Sequence, residues 1–336
     1  MFQKKREIIG GREAIVVSGL GSYLLTDTFE CGQCFRHVRL HPSENSKNSL
    51  ASLCEGYVEY MTVVEDAIIF VGQRTVGELL FFDMSDECFE RLAVPYFALD
   101  TDYRVIKESI IENAKSEFLK TAANEAEGIR ILRQMPWETL FSFIVSQNNN
   151  IPRIKKIIRT VALAYGENLA KKHGLSECPI ACGEGRRCAG EGTPSSKLDS
   201  SMCDQCGACY SFPTARMVAD APELLLPSHP GFRYKYLIDA AERVSTGTTN
   251  LQDILDKHSY QYTLSELMKI KGVGEKVASC TSLFAFSNLE AFPIDVWMRR
   301  AIDEYFGGDL DPKTLGPYAG VAQQYIFHYI RLLSGK

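Results

Sequence analysis

Hydrophobic spacing changes character once along these 336 residues, and that change limits the chain to two unlike layers. Up to about residue 110 the apolar positions fall in short runs rich in β-branched and aromatic residues: Ala14–Ser18, Tyr57–Val64 and Ala67–Gly72. Such runs suit the pleated, half-buried surface of a strand. His41 to Asn48, with Pro, Ser, Asn and Lys, reads as a loop between strands. From Tyr103 onward the period is helical, with Ile111, Ala114, Phe118 and Leu119 on one apolar face and Leu140, Ile144 and Val145 on another. A stretch rich in Gly, Cys, Ser and Pro over 174–214 breaks this pattern, which returns around Tyr234–Val244 and persists to the end. The expectation is an α+β chain. An antiparallel-sheet domain with flanking helices (1–115) precedes an all-helical domain (116–336), which carries a cysteine-rich insert at about 176–212.

Composition excludes little beyond the membrane. No apolar run approaches the roughly 18–20 residues a bilayer span needs. The start, Met1-Phe-Gln-Lys-Lys-Arg-Glu, is not followed by the apolar stretch and cleavage site of a secretory signal. The expected place of action is therefore inside the cell: cytoplasm or nucleoid in a bacterium, nucleus in a eukaryote. A net charge of −5 speaks mildly against nucleic acid, which usually needs a basic footprint. Charge is uneven, however: Arg153, Lys155, Lys156, Arg159, Lys171 and Lys172 face a single Glu167 over 153–172. By itself such a run is a solvated helix face. Six of the eleven cysteines fall between Cys178 and Cys209, a cluster that suggests metal rather than disulfides in a chain without an export signal.

The strongest local signal is Leu267-Met-Lys-Ile-Lys-Gly-Val-Gly-Glu-Lys-Val-Ala-Ser-Cys280. An apolar helix end runs into Gly272-Val273-Gly274, and a second helix begins at once. Glycine permits a tight turn and close approach of the backbone to another molecule. The amides of the following helix N-terminus then point outward, ready for a phosphate. The pattern resembles a helix-hairpin-helix, which grips DNA backbone without reading sequence; an ordinary αα-corner would look similar. Downstream, in Phe292-Pro-Ile-Asp295-Val-Trp-Met-Arg, Asp295 stands where a helix would start, a stabilising cap on structural grounds alone.

Taken together, a Lys just after the hairpin turn and an Asp nineteen positions later resemble the helix-hairpin-helix–GPD superfamily of DNA glycosylases. Further segments narrow the resemblance to 8-oxoguanine DNA glycosylase/AP lyase. They are Gly32-Gln-Cys-Phe-Arg36, Leu140 through Asn148-Asn-Asn-Ile-Pro-Arg153, Gly231-Phe-Arg-Tyr-Lys-Tyr236 and Gly316-Pro-Tyr-Ala-Gly-Val-Ala-Gln323, in the family's order and spanning nearly the whole chain. The resemblance implies a bifunctional enzyme acting, as a monomer, on double-stranded DNA that holds oxidised guanine opposite cytosine, with no cofactor for catalysis.

It also implies residue roles. Lys276 attacks C1′ of the sugar as a neutral amine, and Asp295 stabilises the oxocarbenium-like charge. A base inside a duplex is unreachable and must be flipped out. Asn148 then fills the vacated space, while Arg153 and Arg233 read the orphaned cytosine; Phe232, where the family usually has Tyr, wedges without a hydroxyl. Gly272 and Gly274 approach the phosphates. The lesion differs from guanine in an oxygen at C8 and an N–H at N7, so the carbonyl of Gly32 is the discriminating acceptor. Gln323 binds the Watson–Crick edge, Phe327 stacks on the base, and Cys280 lies against its opposite face. Trp297 stands where the family commonly has His, which puts any phosphate or relay role at that position in doubt.

Two other readings remain open: a non-catalytic DNA-binding helix-hairpin-helix module, and a glycosylase for alkylated or mispaired bases. Monofunctional alkyl-base members of the superfamily lack the Lys. Iron–sulfur members carry cysteines near the C-terminus, whereas the last cysteine here is Cys280. The insert is too poor in apolar residues to build its own core, so a structural metal is expected. Cys182, Cys188, Cys203 and Cys206 suit tetrahedral zinc; the alternative is an iron–sulfur cluster using Cys203, Cys206 and Cys209 with Cys178. Either would act structurally, or in DNA contact through Arg186 and Arg187.

Overall fold

The computed structural model of the protein describes residues 2–40, 56–173 and 207–335. Alternation in the first part is realised as a six-stranded sheet of β1 (Gln3–Ile9), β2 (Arg12–Ser18), β3 (Val38–Leu40), β4 (Val58–Val64), β5 (Ala67–Gln73) and β6 (Leu79–Phe82). The order is β1-β2-β6-β5-β4-β3 and all pairs are antiparallel. Because successive side chains take opposite faces, Ile15, Val17, Leu79 and Phe81 turn toward one core with Phe29, Phe89 and Phe97. Ala14, Val16, Leu80 and Phe82 line the other face. β6 is buried on both faces and therefore reads as an unbroken apolar run, Leu-Leu-Phe-Phe, rather than an alternating one. β1 escapes the sequence pattern for the opposite reason. As an exposed edge it is charged, with Lys4 and Arg6 paired to Asp86 and Glu90, a composition that guards an edge against further pairing.

α1 (Leu25–Glu30) packs Leu25 and Phe29 against the sheet, and the helices of the second layer include α2 (Tyr103–Asn113), α3 (Glu117–Glu125), α4 (Pro136–Ser146), α5 (Ile151–Tyr165), α6 (Tyr234–Ser245), α7 (Tyr260–Leu267), α8 (Glu275–Ala285), α9 (Val296–Tyr305) and α10 (Ala319–Leu333). The single face expected from Ile111 to Leu119 is in fact shared by two helices, because Ala114 turns extended (ψ 113°) and α3 starts afresh after Ser116. α8 is buried along its whole length from Val277 to Ala285 and is the axis of the larger core. α2 packs Ile106 and Ile110 into that same helical core. Among the described residues no helix is long and apolar enough to cross a membrane.

The segment His41–Asn48 lies outside the described residues, as do Cys178, Cys182, Cys188, Cys203, Cys206, Arg186 and Arg187. Cys209 is described. It is buried beside Val38, Ala170 and Ala208, its thiol 3.7 Å from Met61 Sδ, in an apolar cluster under β3 and β4.

Candidate active site

The Gly272–Gly274 turn joins α7 to α8, and its two glycines have different physical reasons. Gly272 has φ +78°, and a Cβ there would stand 2.4 Å from Cγ of Tyr236, so both conformation and space demand glycine. The turn is tied to α6 by Asp239, whose Oδ2 accepts from the Lys271 amide at 2.8 Å. Gly274 has an ordinary φ of −95° and nothing within 4 Å of a built Cβ. It caps α8 without a side chain, which leaves the first amides of a buried helix facing outward. Backbone donors in that arrangement match a phosphate.

Lys276, in the first turn of α8, reaches back over α4. Its Nζ lies 3.4 Å from Ser146 Oγ and 5.3 Å from the centre of the Phe143 ring. Asp295 is the N-cap of α9, with Oδ1 accepting from the Met298 amide at 2.8 Å. That capping bond engages one carboxylate oxygen and orients the group, which lines the same small cleft, about 60 Å³, as Lys276. The structural and the chemical readings of Asp295 are thus compatible. Gly32, Cys280, Gln323 and Phe327 complete the walls. Burial pushes the Cys280 thiol above its ordinary range, with Lys276 partly offsetting and Asp295 adding to the effect. All six residues expected at the lesion are therefore brought together from four separate parts of the chain.

The Gly32 wall comes from the sheet layer, in the turn after α1. Gly32 has φ +85°, and a Cβ there would meet Ile151 Cδ1 at 3.5 Å and Phe327 Cε1 at 3.9 Å. The adjacent Gln33 is fully buried and pins this turn. Its Nε2 donates to the carbonyls of Thr28 and Arg130, both at 2.8 Å, and its Oε1 accepts from the Leu132 amide at 2.8 Å. On the opposite wall, Gln323 is buried and accepts at Oε1 from Gln324 Nε2 at 2.7 Å. Phe327 is half-buried, with Arg331 5.7 Å over its ring.

Asn148 is exposed and left-handed, φ +44°, in the loop between α4 and α5. Asn150 caps α5 by accepting from the Arg153 amide at 3.0 Å, and Arg153 is exposed. Arg233, expected to read the orphaned cytosine, is held against main-chain carbonyls. It is 3% exposed. Nε and Nη2 donate to the Gln147 carbonyl, Nη2 also to Asn148 O at 2.9 Å, and Nη1 to Pro230 O at 3.1 Å. A guanidinium has five N–H groups, so one remains for any other partner. The physical reason is carbonyl satisfaction: the loop after α4 leaves main-chain oxygens that helix geometry no longer pairs, and Arg233 supplies the donors. Phe232 is half exposed, over the same guanidinium at 4.4 Å. Residues missed in the sequence are Phe143, Ser146 and Gln324. The first two sit three positions apart on α4, a helical spacing indistinguishable from core.

Comparison with known proteins agrees with this geometry. Residues 19–140 match the family described as 8-oxoguanine DNA glycosylase, N-terminal domain. The structure of MBOgg1 in complex with a low-affinity DNA ligand superposes with a TM-score of 0.74 at 31% identity, covering 100% of both chains. The chain belongs to the 8-oxoguanine DNA glycosylase family. A second member, the Clostridium acetobutylicum 8-oxoguanine glycosylase/lyase in complex with double-stranded DNA containing cytosine opposite 8-oxoG, has a TM-score of 0.74 at 29% identity. The match covers 99% of this chain and 98% of that one. The N-glycosylase/DNA lyase of Saccharomyces cerevisiae is 28% identical over 292 residues, 82% of this chain. The chain spans 66% of that yeast relative's length.

Proposed function

We propose that the chain is a bifunctional DNA glycosylase/AP lyase, acting inside the cell, that flips 8-oxoguanine out of duplex DNA and excises it, preferably opposite cytosine. One observation carries the reading: an amine, a carboxylate, a buried amide and an aromatic ring converge on a single cleft beside an uncapped helix N-terminus. A non-catalytic DNA-gripping module needs the helix N-terminus but not the convergence. A monofunctional alkyl-base glycosylase needs the cleft but not Lys276.

The chemistry follows from these groups. Phosphate held at the start of α8 places the sugar of the extruded nucleotide near Lys276. Phe327 stacks on the base and Gln323 meets its Watson–Crick edge. The Gly32 carbonyl accepts the N7–H that only the oxidised base carries; in normal guanine two acceptors would face one another. As the N-glycosidic bond lengthens, positive charge grows at the sugar and the Asp295 carboxylate stabilises it. Nζ of Lys276 forms a bond to C1′ while the base departs with the bond's electron pair and is then protonated. Ring opening gives an imine between Nζ and C1′, and loss of a C2′ proton expels the 3′ phosphate by β-elimination.

Incubation with a duplex containing 8-oxoguanine opposite cytosine, followed by borohydride, tests this. A covalent protein–DNA adduct and a nicked strand are expected. Excision without any trapped adduct would remove Lys276 from the nucleophile's role.

A further inference from the structure

The cleft holds an amide that the mechanism does not use. Gln324 lines it beside Gln323, is 5% exposed, and donates from Nε2 to Gln323 Oε1 at 2.7 Å. Its own Oε1 is buried and accepts a hydrogen bond from no described residue. Buried acceptors are almost always satisfied, because leaving one unmade forfeits its hydration without return. An orphaned acceptor in the wall of a binding cleft therefore marks the place where a ligand's donor arrives.

The donated bond also limits Gln323. With one lone pair of its Oε1 engaged by Gln324, the Gln323 amide cannot rotate half a turn without bringing two N–H₂ groups together. Both side chains line the cleft, and between them they hold two acceptor oxygens: Gln323 Oε1, with its second lone pair, and the buried Gln324 Oε1. A guanine-type Watson–Crick edge carries two adjacent donors, N1–H and the exocyclic 2-amino group. We propose that Gln324 is a specificity-determining residue, its Oε1 accepting from the 2-amino group of the extruded base while Gln323 takes N1–H. The proposal rests on the glycosylase reading. It adds a chemical preference that Gln323 alone does not supply: an oxidised purine without the 2-amino group leaves the Gln324 oxygen orphaned and is excised more slowly.

Single-turnover excision from duplexes carrying 8-oxoguanine or 8-oxohypoxanthine, each opposite cytosine, tests it. The two bases share N1–H, O6, N7–H and the C8 oxygen, and differ in the 2-amino group. The wild type should prefer 8-oxoguanine by roughly tenfold, as for one hydrogen bond made or lost in a buried site. Gln324→Met, similar in length, loses both the acceptor and the donor to Gln323 Oε1; both bases are then excised more slowly, and the ratio between them should fall toward one. Comparing ratios between proteins cancels the different cost of extruding the two bases. If the methionine variant does not fold, Gln324→Ala takes its place. A full preference in a variant lacking the acceptor, or no preference in the wild type, overturns the assignment of Gln324. A wild type that excises neither base overturns the glycosylase reading itself.

Discussion

Replacing each hairpin glycine by alanine should damage different properties of the protein. At Gly272, φ of +78° places any Cβ in the left-handed region, which costs about 1–2 kcal/mol for an L-residue. The same Cβ would lie 2.4, 2.5 and 2.6 Å from three ring atoms of Tyr236. The ring must move, and overpacking of this kind costs about 1–3 kcal/mol. The sum for Gly272→Ala is about 2–5 kcal/mol, a large part of the roughly 5–15 kcal/mol that holds a domain folded. At Gly274 the φ of −95° suits alanine and the new methyl meets nothing within 4 Å. Stability of Gly274→Ala should therefore stay within about 1 kcal/mol of wild type. That open space, however, is where a phosphate approaches the amides of α8. Weakening one such charge-assisted bond, worth about 1.5–3 kcal/mol, lowers affinity for duplex DNA about 10- to 100-fold. Urea unfolding followed by fluorescence and DNA binding by anisotropy measure the two effects separately. A Gly272→Ala midpoint equal to wild type, or Gly274→Ala unfolding as early as Gly272→Ala, would refute the division of roles.

Lys276→Gln should retain binding to lesion DNA while abolishing excision and borohydride trapping. Asp295→Asn should lose about 10²–10³ in single-turnover rate yet melt within ~0.5 kcal/mol of wild type, since asparagine caps the Met298 amide equally well; a matched loss of stability and rate would reduce Asp295 to a cap. Excision of 8-oxoguanine should be faster opposite cytosine than opposite adenine. Arg233→Ala should flatten that difference while also lowering the unfolding midpoint, because three carbonyls lose a buried donor; equal rates opposite all four bases in the wild type count against Asn148, Arg153 and Arg233 together. The cysteine spacing predicts about one bound metal in protein purified anaerobically without chelators. Elemental analysis reads zinc or iron, and absorption near roughly 400 nm separates a cluster from colourless zinc; finding neither ends the proposal.

The hairpin turn was legible from its glycines, whereas the roles of Asp295 and Gly32 were legible only through the family resemblance of their segments, since alone one reads as a helix cap and the other as a turn glycine. Gln323 and Phe327 were legible through the same resemblance, with the i, i+4 spacing adding only that the two share one helix face. The carbonyl partners of Arg233 were not, since its donors go to Gln147 and Asn148, 86 and 85 positions away, and no local pattern encodes which carbonyls a fold leaves unpaired. Gln324 escaped for a related reason. Neighbours on a helix usually face different directions, and only the tertiary bend of the cleft brings both amides to one surface. β6 was hidden by being buried twice, and β1 by the charges that protect its edge.

Gln33 anchors the Gly32 turn through three buried bonds to the sheet layer and its junction, while the amine and the carboxylate stand on helices of the other layer. The two halves of the molecule therefore govern different errors. On the proposed reading, loss of the amine or the carboxylate silences excision and leaves lesions in place. On that same reading, in which the Gly32 carbonyl tests N7, loosening the Gln33 anchor spares the amine and relaxes that test, so undamaged guanine would begin to be cut. A cell carrying such a variant would accumulate strand breaks in sound DNA in proportion to how much of the protein it makes, a dominant toxicity rather than a recessive loss.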